Sequence, residues 1–353
     1  MPNPKRYRHF ISLLLVLIAS VGASSSQTIT WCVSVWYPSS AEATGRDSLL
    51  NNLQHIDVVH PFWYTPNADH TLQAVSGAED ESLLRVWRDA GKLVIPSIFA
   101  SIPTMLNSPE TRRFHIGEII ALVERMGYDG IDIDYEGFPR TTRDAFTAFV
   151  AELSLELRAR GKWLAIAVHG KTDDAGSWDG AGAQDWDALA PLVDIFSIMT
   201  YDYTNRNEPP GAIAPTDWVL DVLAYAENVV PLDKVRVGLH FYGYSWLRDK
   251  PPATTITWDA AQRLIASFGL TVVRDPNDLE AHIAFKAQGL PKQTLYFADA
   301  VHLANKLSRI QAQFPSLGGV AIWGIGGEDP NNWAVLQGAR ASPCLLTKDI
   351  NTQ

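Results

Sequence analysis

Apolar positions along this chain fall into two alternating periods. Short runs rich in Val, Ile, Phe and Trp near residues 29–36, 56–63, 92–99, 130–135, 163–168, 194–201, 235–241 and 318–323 read as strands. Between them, Glu79 to Ala90, Pro109 to Met126, Arg143 to Arg160 and Trp218 to Val229 carry apolar residues at three- and four-residue spacing, the pattern of an amphipathic helix. Alternation of this kind builds a parallel sheet, and eight strands close a (β/α)8 barrel. No linker, tandem repeat or low-complexity stretch divides the run.

One gap is too long for a single crossover helix: about 75 residues, Gly243 to Leu317, separate the seventh and eighth strands. Within it Thr254 to Phe268 reads as helical, and Leu270 to Arg274, Ala281 to Phe285 and Thr294 to Phe297 read as strands, ahead of a helix from Val301 to Phe314. The expected fold class is therefore α/β, a (β/α)8 TIM barrel with a small α+β insertion over about residues 244–300. The segment after the fifth strand, Gly170 to Gln184, is rich in Gly and Asp and carries Trp178, and reads as a mobile rim.

At the amino end Lys5, Arg6 and Arg8 precede an apolar run from Phe10 to Ala23, with small residues at Val21-Gly-Ala23 for cleavage. Residues 1–23 thus read as a secretory signal peptide and 24–353 as the barrel. The run is shorter than the roughly 18–20 residues that cross a bilayer, no later segment qualifies, and no Cys directly follows the cleavage position. The expectation is an exported monomer, secreted or held in the cell envelope, without a membrane anchor.

Charge narrows the partners. The leader takes three of the 29 basic residues and leaves 26 against 39 acidic ones, a formal charge near −13. That balance argues against nucleic acid and anionic lipid as partners and is compatible with a neutral polysaccharide. Cys32 and Cys344 lie near opposite ends of the mature chain, where a closed barrel brings the first strand beside the last helix. Export permits a disulfide between them; the alternative is two thiols packed as small apolar groups. The histidines show neither paired spacing with Cys nor a His-Glu-x-x-His pattern, so neither a metal nor any other cofactor is expected.

The chemistry concentrates in Tyr128 to Gly137, where Asp132, Asp134 and Glu136 alternate with Ile131, Ile133 and Tyr135. On a strand the three acids share one face at Cα spacings of about 7 Å. Like charges so close, with little water, push at least one pKa upward and make neighbouring carboxyls share protons, the condition a general acid needs. A solvated acidic edge strand fits poorly, because the other face is β-branched and aromatic. A calcium loop fails because its twelfth position is Arg143 where a bidentate Glu is required.

The run resembles the signature of glycoside hydrolase family 18, Asp-x-x-Asp-x-Asp-x-Glu, with Asp129, Asp132, Asp134 and Glu136 at its four acidic positions. Met199-Thr-Tyr-Asp202 resembles the family's Met-x-Tyr-Asp strand end, and Gly318 to Trp323 resembles its last strand closing on a Trp. Within the family, Pro209 through Ala214 to Trp218 and Gly238 to Trp246 are most similar to the bacterial spore-germination and cortex-lytic N-acetylglucosaminidases, which cut peptidoglycan.

The resemblance implies a retaining glycosidase in which the substrate's 2-acetamido oxygen attacks the anomeric carbon, so that no second carboxylate acts as nucleophile. It implies Glu136 as the acid, Asp134 as the group that steadies the acetamido, Asp132 as the partner that holds a proton with Asp134, and Tyr201 as a donor to the acetamido carbonyl. Asp202 is then expected to contact the sugar, Trp323 to floor the site and Met199 to pack near the acetamido methyl. Trp36, Phe62 and Tyr242, near strand ends, are further candidates for substrate contact, as are Trp63, Tyr64, Tyr203 and Trp246, about half of them being expected in the core.

The implied partner is a β-1,4-linked polysaccharide or oligosaccharide containing N-acetylglucosamine, either peptidoglycan or chitin. One departure favours the former: the third strand runs Val94 to Ser101 without the Ser-x-Gly-Gly typical of chitinases. A catalytically weak or inactive carbohydrate-binding lectin of the same fold is the alternative, and the presence of Glu136 speaks against it.

Overall fold

The computed structural model describes residues 31–38, 43–101, 103–289, 291–340, 343, 344 and 346. The leader expected at residues 1–23 lies outside the described residues. Eight parallel strands form the centre: β1 (Cys32–Pro38), β2 (Val58–Pro66), β3 (Ser97–Ala100), β4 (Gly130–Tyr135), β5 (Trp163–His169), β6 (Ile195–Met199), β7 (Val235–His240) and β8 (Gly319–Trp323). Each pairs with its sequence neighbour, and β1 pairs with both β2 and β8, so the sheet closes on itself as a (β/α)8 barrel.

Where one strand was expected over residues 92–99, the structure has Leu93–Val94 and then β3. Pro96 between them has no N–H to give a ladder. Its carbonyl still accepts the N–H of Asp132 at 2.9 Å, so the interruption does not loosen β4.

An Asp recurs just before alternate strands and captures a backbone N–H of the strand before it. Asp57 takes Val33 N–H at 2.8 Å, Asp129 takes Val94 N–H at 2.8 Å, and Asp194 takes Leu164 N–H at 2.9 Å. The first Asp of the acidic signature is therefore a clasp at the amino-terminal end of the barrel, the face associated with stability. A disulfide joins Cys32 at the start of β1 to Cys344 on the same face, and Arg340 pairs with Asp57 close by.

The helices bury one side against the barrel. Pro109–Met126 shows why it begins and ends where it does: Ser108 and Thr111 form a reciprocal cap, Pro109 opens the first turn, and Gly127 ends it at φ 63°. Its buried Ile116, Ile119, Ile120 and Val123 join Phe146, Phe149, Val150 and Leu153 of Arg143–Arg158 in one continuous core around the sheet. Among the described residues no helix is long and apolar enough to cross a membrane.

Between β7 and the helix Ala300–Gln313 stands a separate antiparallel sheet, in the order Thr254–Ile256, Gly243–Leu247, Gln293–Phe297, Ala281–Phe285, Val273–Arg274. The helix Trp258–Phe268 covers it, with Ala261, Ala281, Ile283, Leu295 and Phe297 forming its own small core. Its first strand starts three residues after β7 ends.

Candidate active site

Barrel strands deliver chemistry at their carboxyl ends. Asp132 and Asp134 point inward from β4, and Glu136 follows its last residue, held by its N–H to Ala100 O at 2.8 Å. Asp132 is fully buried and its Oδ2 accepts from Trp36 Nε1 at 2.9 Å and Ser97 Oγ at 2.5 Å. Asp134 above it is 5% exposed, and its Oδ1 has no partner among the described residues. Burial, then Glu136 and Asp132, hold the Asp134 carboxyl well above the usual carboxylate range, and a hydrogen bond to Glu136 keeps its proton in place. Burial also raises Glu136; the hydrogen bond with Asp134 works against this and the charge of Asp202 adds to it. The pair shares a proton at the mouth of the barrel, and the Glu136 side chain, 30% exposed, is the member that reaches the cleft.

That cleft, about 820 Å³, lies over the strand ends. Trp36, Phe62 and Trp323 form its floor, packed with Ala167 and Ala321 from inside the barrel, and Phe62 and Trp323 rings meet at 5.4 Å. Phe99 extends the floor from β3, its ring 5.6 Å from that of Phe62. On the far side stand Met199, Tyr201, Asp202, Tyr203 and Trp218. Tyr201 fits because its neighbour on β7 is a glycine: a Cβ on Gly238 would lie 3.0 Å from Tyr201 Cε1 and 2.5 Å from Ile198 O. Burial and the charges of Asp134 and Glu136 raise the Tyr201 phenol well above its ordinary value, so it stays a hydrogen-bond donor.

Tyr242, a candidate for sugar contact from the sequence, has a different place. It is 7% exposed, is not among the cleft-lining residues, and donates its hydroxyl to Asp202 at 2.6 Å, with Tyr244 donating to the same oxygen at 2.9 Å. It positions Asp202, which sits at φ 55° in the left-handed region. Trp63, Tyr64 and Trp246 are core residues, whereas Tyr203 is 55% exposed at the cleft wall.

Nothing in the sequence marks out His169. At the end of β5 its Nε2 lies 3.5 Å from Glu136 Oε2, and burial lowers its pKa to about 4, which keeps it neutral beside the acid. Trp178 from the rim lies over it at 4.6 Å between ring centres. The rim itself is tied down: Gln184 accepts His169 N–H at 2.8 Å and donates to Tyr135 O at 3.3 Å, and buried Lys171 donates to Gln184 O at 2.6 Å. A lone His at a strand end gave no signal that separated it from a packing residue.

The description "Glycosyl hydrolases family 18" matches residues 99–328, which include the stacked acids, the Met199 to Asp202 strand end and β8. This chain belongs to that family. It is 28% identical over 225 residues to the cortical fragment-lytic enzyme of Bacillus anthracis, covering 63% of this chain and 52% of that protein. It is 32% identical over 161 residues to the sporulation-specific glycosylase YdhD of Bacillus subtilis, covering 46% and 38%. The chain thus spans about half or less of the length of these relatives. Among solved structures, a chitinase from Chromobacterium violaceum superimposes with a TM-score of 0.82 at 22% identity, over 89% of this chain and 100% of that one. The Bacillus cereus spore cortex-lytic enzyme SleL superimposes with a TM-score of 0.81 at 22% identity, over 91% and 76%.

Proposed function

We propose that this family 18 chain is a retaining glycoside hydrolase that cleaves β-1,4 bonds beside N-acetylglucosamine in peptidoglycan, with the substrate's own acetamido oxygen as nucleophile. The observation that carries this reading is the stack of Asp132, Asp134 and Glu136, with a proton held between the upper two at the foot of an aromatic cleft. Glu136 gives that proton to the glycosidic oxygen as the C1–O bond breaks. The acetamido carbonyl oxygen closes onto C1 from the other face, and the five-membered cation that forms has its N–H facing Asp134 and its oxygen side facing Tyr201. Water then attacks C1, Glu136 takes a proton from it, and the ring reopens with the original anomeric configuration. Peptidoglycan is favoured over chitin by the likeness to a cortical fragment-lytic enzyme and by a third strand without Ser-x-Gly-Gly.

The chain acts as an exported monomer, released by removal of residues 1–23; the disulfide between Cys32 and Cys344 supports an oxidising compartment. Amino-terminal sequencing of the extracellular protein tests this, and an intact Met1 on that protein would refute the cleavage.

Purified peptidoglycan and chitin oligosaccharides, digested side by side with the parent enzyme and Glu136→Gln, test the reaction. The parent is expected to release peptidoglycan fragments ending in N-acetylglucosamine, with retention at the anomeric carbon, and the variant to lose at least about 1,000-fold in turnover. De-N-acetylated substrate should be cleaved several orders of magnitude more slowly, since it lacks the positioned nucleophile. Inversion, or equal rates on the two substrates, would sink the mechanism.

A further inference from the structure

Away from the cleft, His240, Glu280 and His302 meet in the buried seam between barrel and insertion, each offering a ligand atom within 4.8 Å of the others. They come from three remote parts of the chain: His240 ends β7, Glu280 precedes the insertion strand Ala281–Phe285, and His302 lies in the first turn of Ala300–Gln313. Their exposures are 4%, 0% and 2%. Neither His240 Nε2 nor His302 Nε2 has a hydrogen-bond partner among the described residues. His240 Nε2 stands 3.6 Å from Glu280 Oε1, too long for a hydrogen bond.

Two imidazole nitrogens left unpartnered at full burial are costly unless something else fills their lone pairs. We propose that this seam is a zinc site, with His240, Glu280 and His302 as its three protein ligands. Zinc bonds to nitrogen of about 2.0–2.1 Å and to carboxylate oxygen of about 2.0–2.2 Å, at tetrahedral angles, place ligand atoms roughly 3.4 Å apart. The His240–Glu280 separation of 3.6 Å already matches this, and the third ligand atom needs only a modest inward shift. Two imidazoles and one carboxylate form a borderline donor set that suits Zn²⁺ better than Mg²⁺ or Ca²⁺. Lys306, the buried cation on the same helix, directs its Nζ at Ala214 O at 2.7 Å.

The ion's role follows from where its ligands start. It ties the strand before the insertion, the insertion itself and the helix after it into one joint, for a subdomain whose own apolar core is small. Both oxygens of Glu280 also accept Ile213 N–H at 3.1 Å, and Ile213 O accepts Tyr203 N–H at 2.9 Å. The joint therefore reaches the loop that carries Asp202 and Tyr203 into the cleft. Spacing along the sequence held no trace of it, because residues 240, 280 and 302 match no local metal motif.

The full exported chain, purified without a metal-affinity tag, provides the test. Elemental analysis is expected to find about one zinc per chain. Removing it with dipicolinate should lower Tm by several degrees, and one equivalent of Zn²⁺ should restore it. Titration of the metal-free protein against a chromophoric zinc chelator should give one tight site. Glu280→Gln and the double variant His240→Gln/His302→Gln should each weaken that site by about 100-fold or more. Should these variants fail to fold, metal-free parent protein decides alone: uptake of one equivalent with a rise in Tm supports the site. No uptake, a Tm unmoved by stoichiometric Zn²⁺, or full zinc binding by the folded double variant overturns it.

Discussion

Trp36 Nε1 donates to Asp132 Oδ2 at 2.9 Å, a bond that runs across the barrel interior from β1 to β4. The same indole lies in the cleft floor, so one side chain both lines the cleft and supports the base of the acid stack. Trp36→Phe keeps an aromatic floor and removes the donor. Leaving a buried carboxyl oxygen without its donor costs roughly 1–3 kcal/mol, so kcat should fall about 5- to 100-fold with a much smaller change in KM. Steady-state kinetics on a soluble N-acetylglucosaminide check this; a loss confined to KM would mean that the indole only stacks.

Asp134 is a liability to the fold at neutral pH. Its folded-state pKa lies above its unfolded value, because of burial and the neighbouring acids, so folding takes up a proton that the unfolded carboxylate does not hold. Stability from this group is full in acid and drains away as pH rises above about 4 toward the folded pKa. Asp134→Asn should therefore raise Tm by about 2 °C or more at pH 7, with a smaller gain at pH 4, while turnover is lost. A variant less stable than the parent at pH 7 would contradict the charge argument.

Tyr242 and Tyr244 converge on one oxygen of Asp202. Removing one hydroxyl leaves the other, so Tyr242→Phe should lower kcat/KM by about 5-fold, the equivalent of ~1 kcal/mol, and Tyr242→Phe/Tyr244→Phe by clearly more. Because Asp202 lies at φ 55°, Asp202→Asn should keep its Tm better than Asp202→Ala, Asn being the better tolerated residue there. Additive, negligible effects of the two Phe substitutions would remove Asp202 from the binding surface.

His115 and His169 are buried neutral, each with a pKa lowered by burial to about 4. Their folded values lie below the ordinary value of about 6.5, so the unfolded chain binds more protons between the two. Their contribution is fully present above pH 6.5 and is lost as pH falls through about 4. This loss runs against the gain from Asp134 between pH 7 and pH 4, and His115→Gln should make the change in urea midpoint over that interval less negative than in the parent, at the expense of its contact with Tyr135. An equal slope in parent and variant would show that other groups govern acid unfolding.

Much of the barrel was legible because its signals are local. Eight apolar runs lie at the positions of the eight strands, and the alternation in Ile131 to Glu136 aims the two strand acids inward as an elementary consequence of a two-residue period. What was not legible depends on distance in sequence. The step from floor to support that separates Phe62 from Tyr242 appears only once Asp202 stands between Tyr242 and the cleft. His169 matters because β4 and β5 are neighbours, and His240, Glu280 and His302 because an insertion folds back on its own root. Even the break at Pro96 was written in the chain, but nothing local shows that the strand resumes after it.

The insertion leaves and rejoins the barrel through two adjacent strands, with Gly243 opposite Phe297 and Tyr244 opposite Tyr296. A segment anchored at such a narrow neck can be lengthened, shortened or exchanged at its far end while the acid-bearing strand keeps its course. Such changes at the far end leave Tyr242 and Tyr244 on Asp202 as long as they spare Glu280, whose carboxylate holds Ile213 N–H on the loop that carries Asp202. Changes at the neck itself reach Asp202 directly. The neck that decides between the two outcomes is five residues wide, from Tyr242 to Trp246.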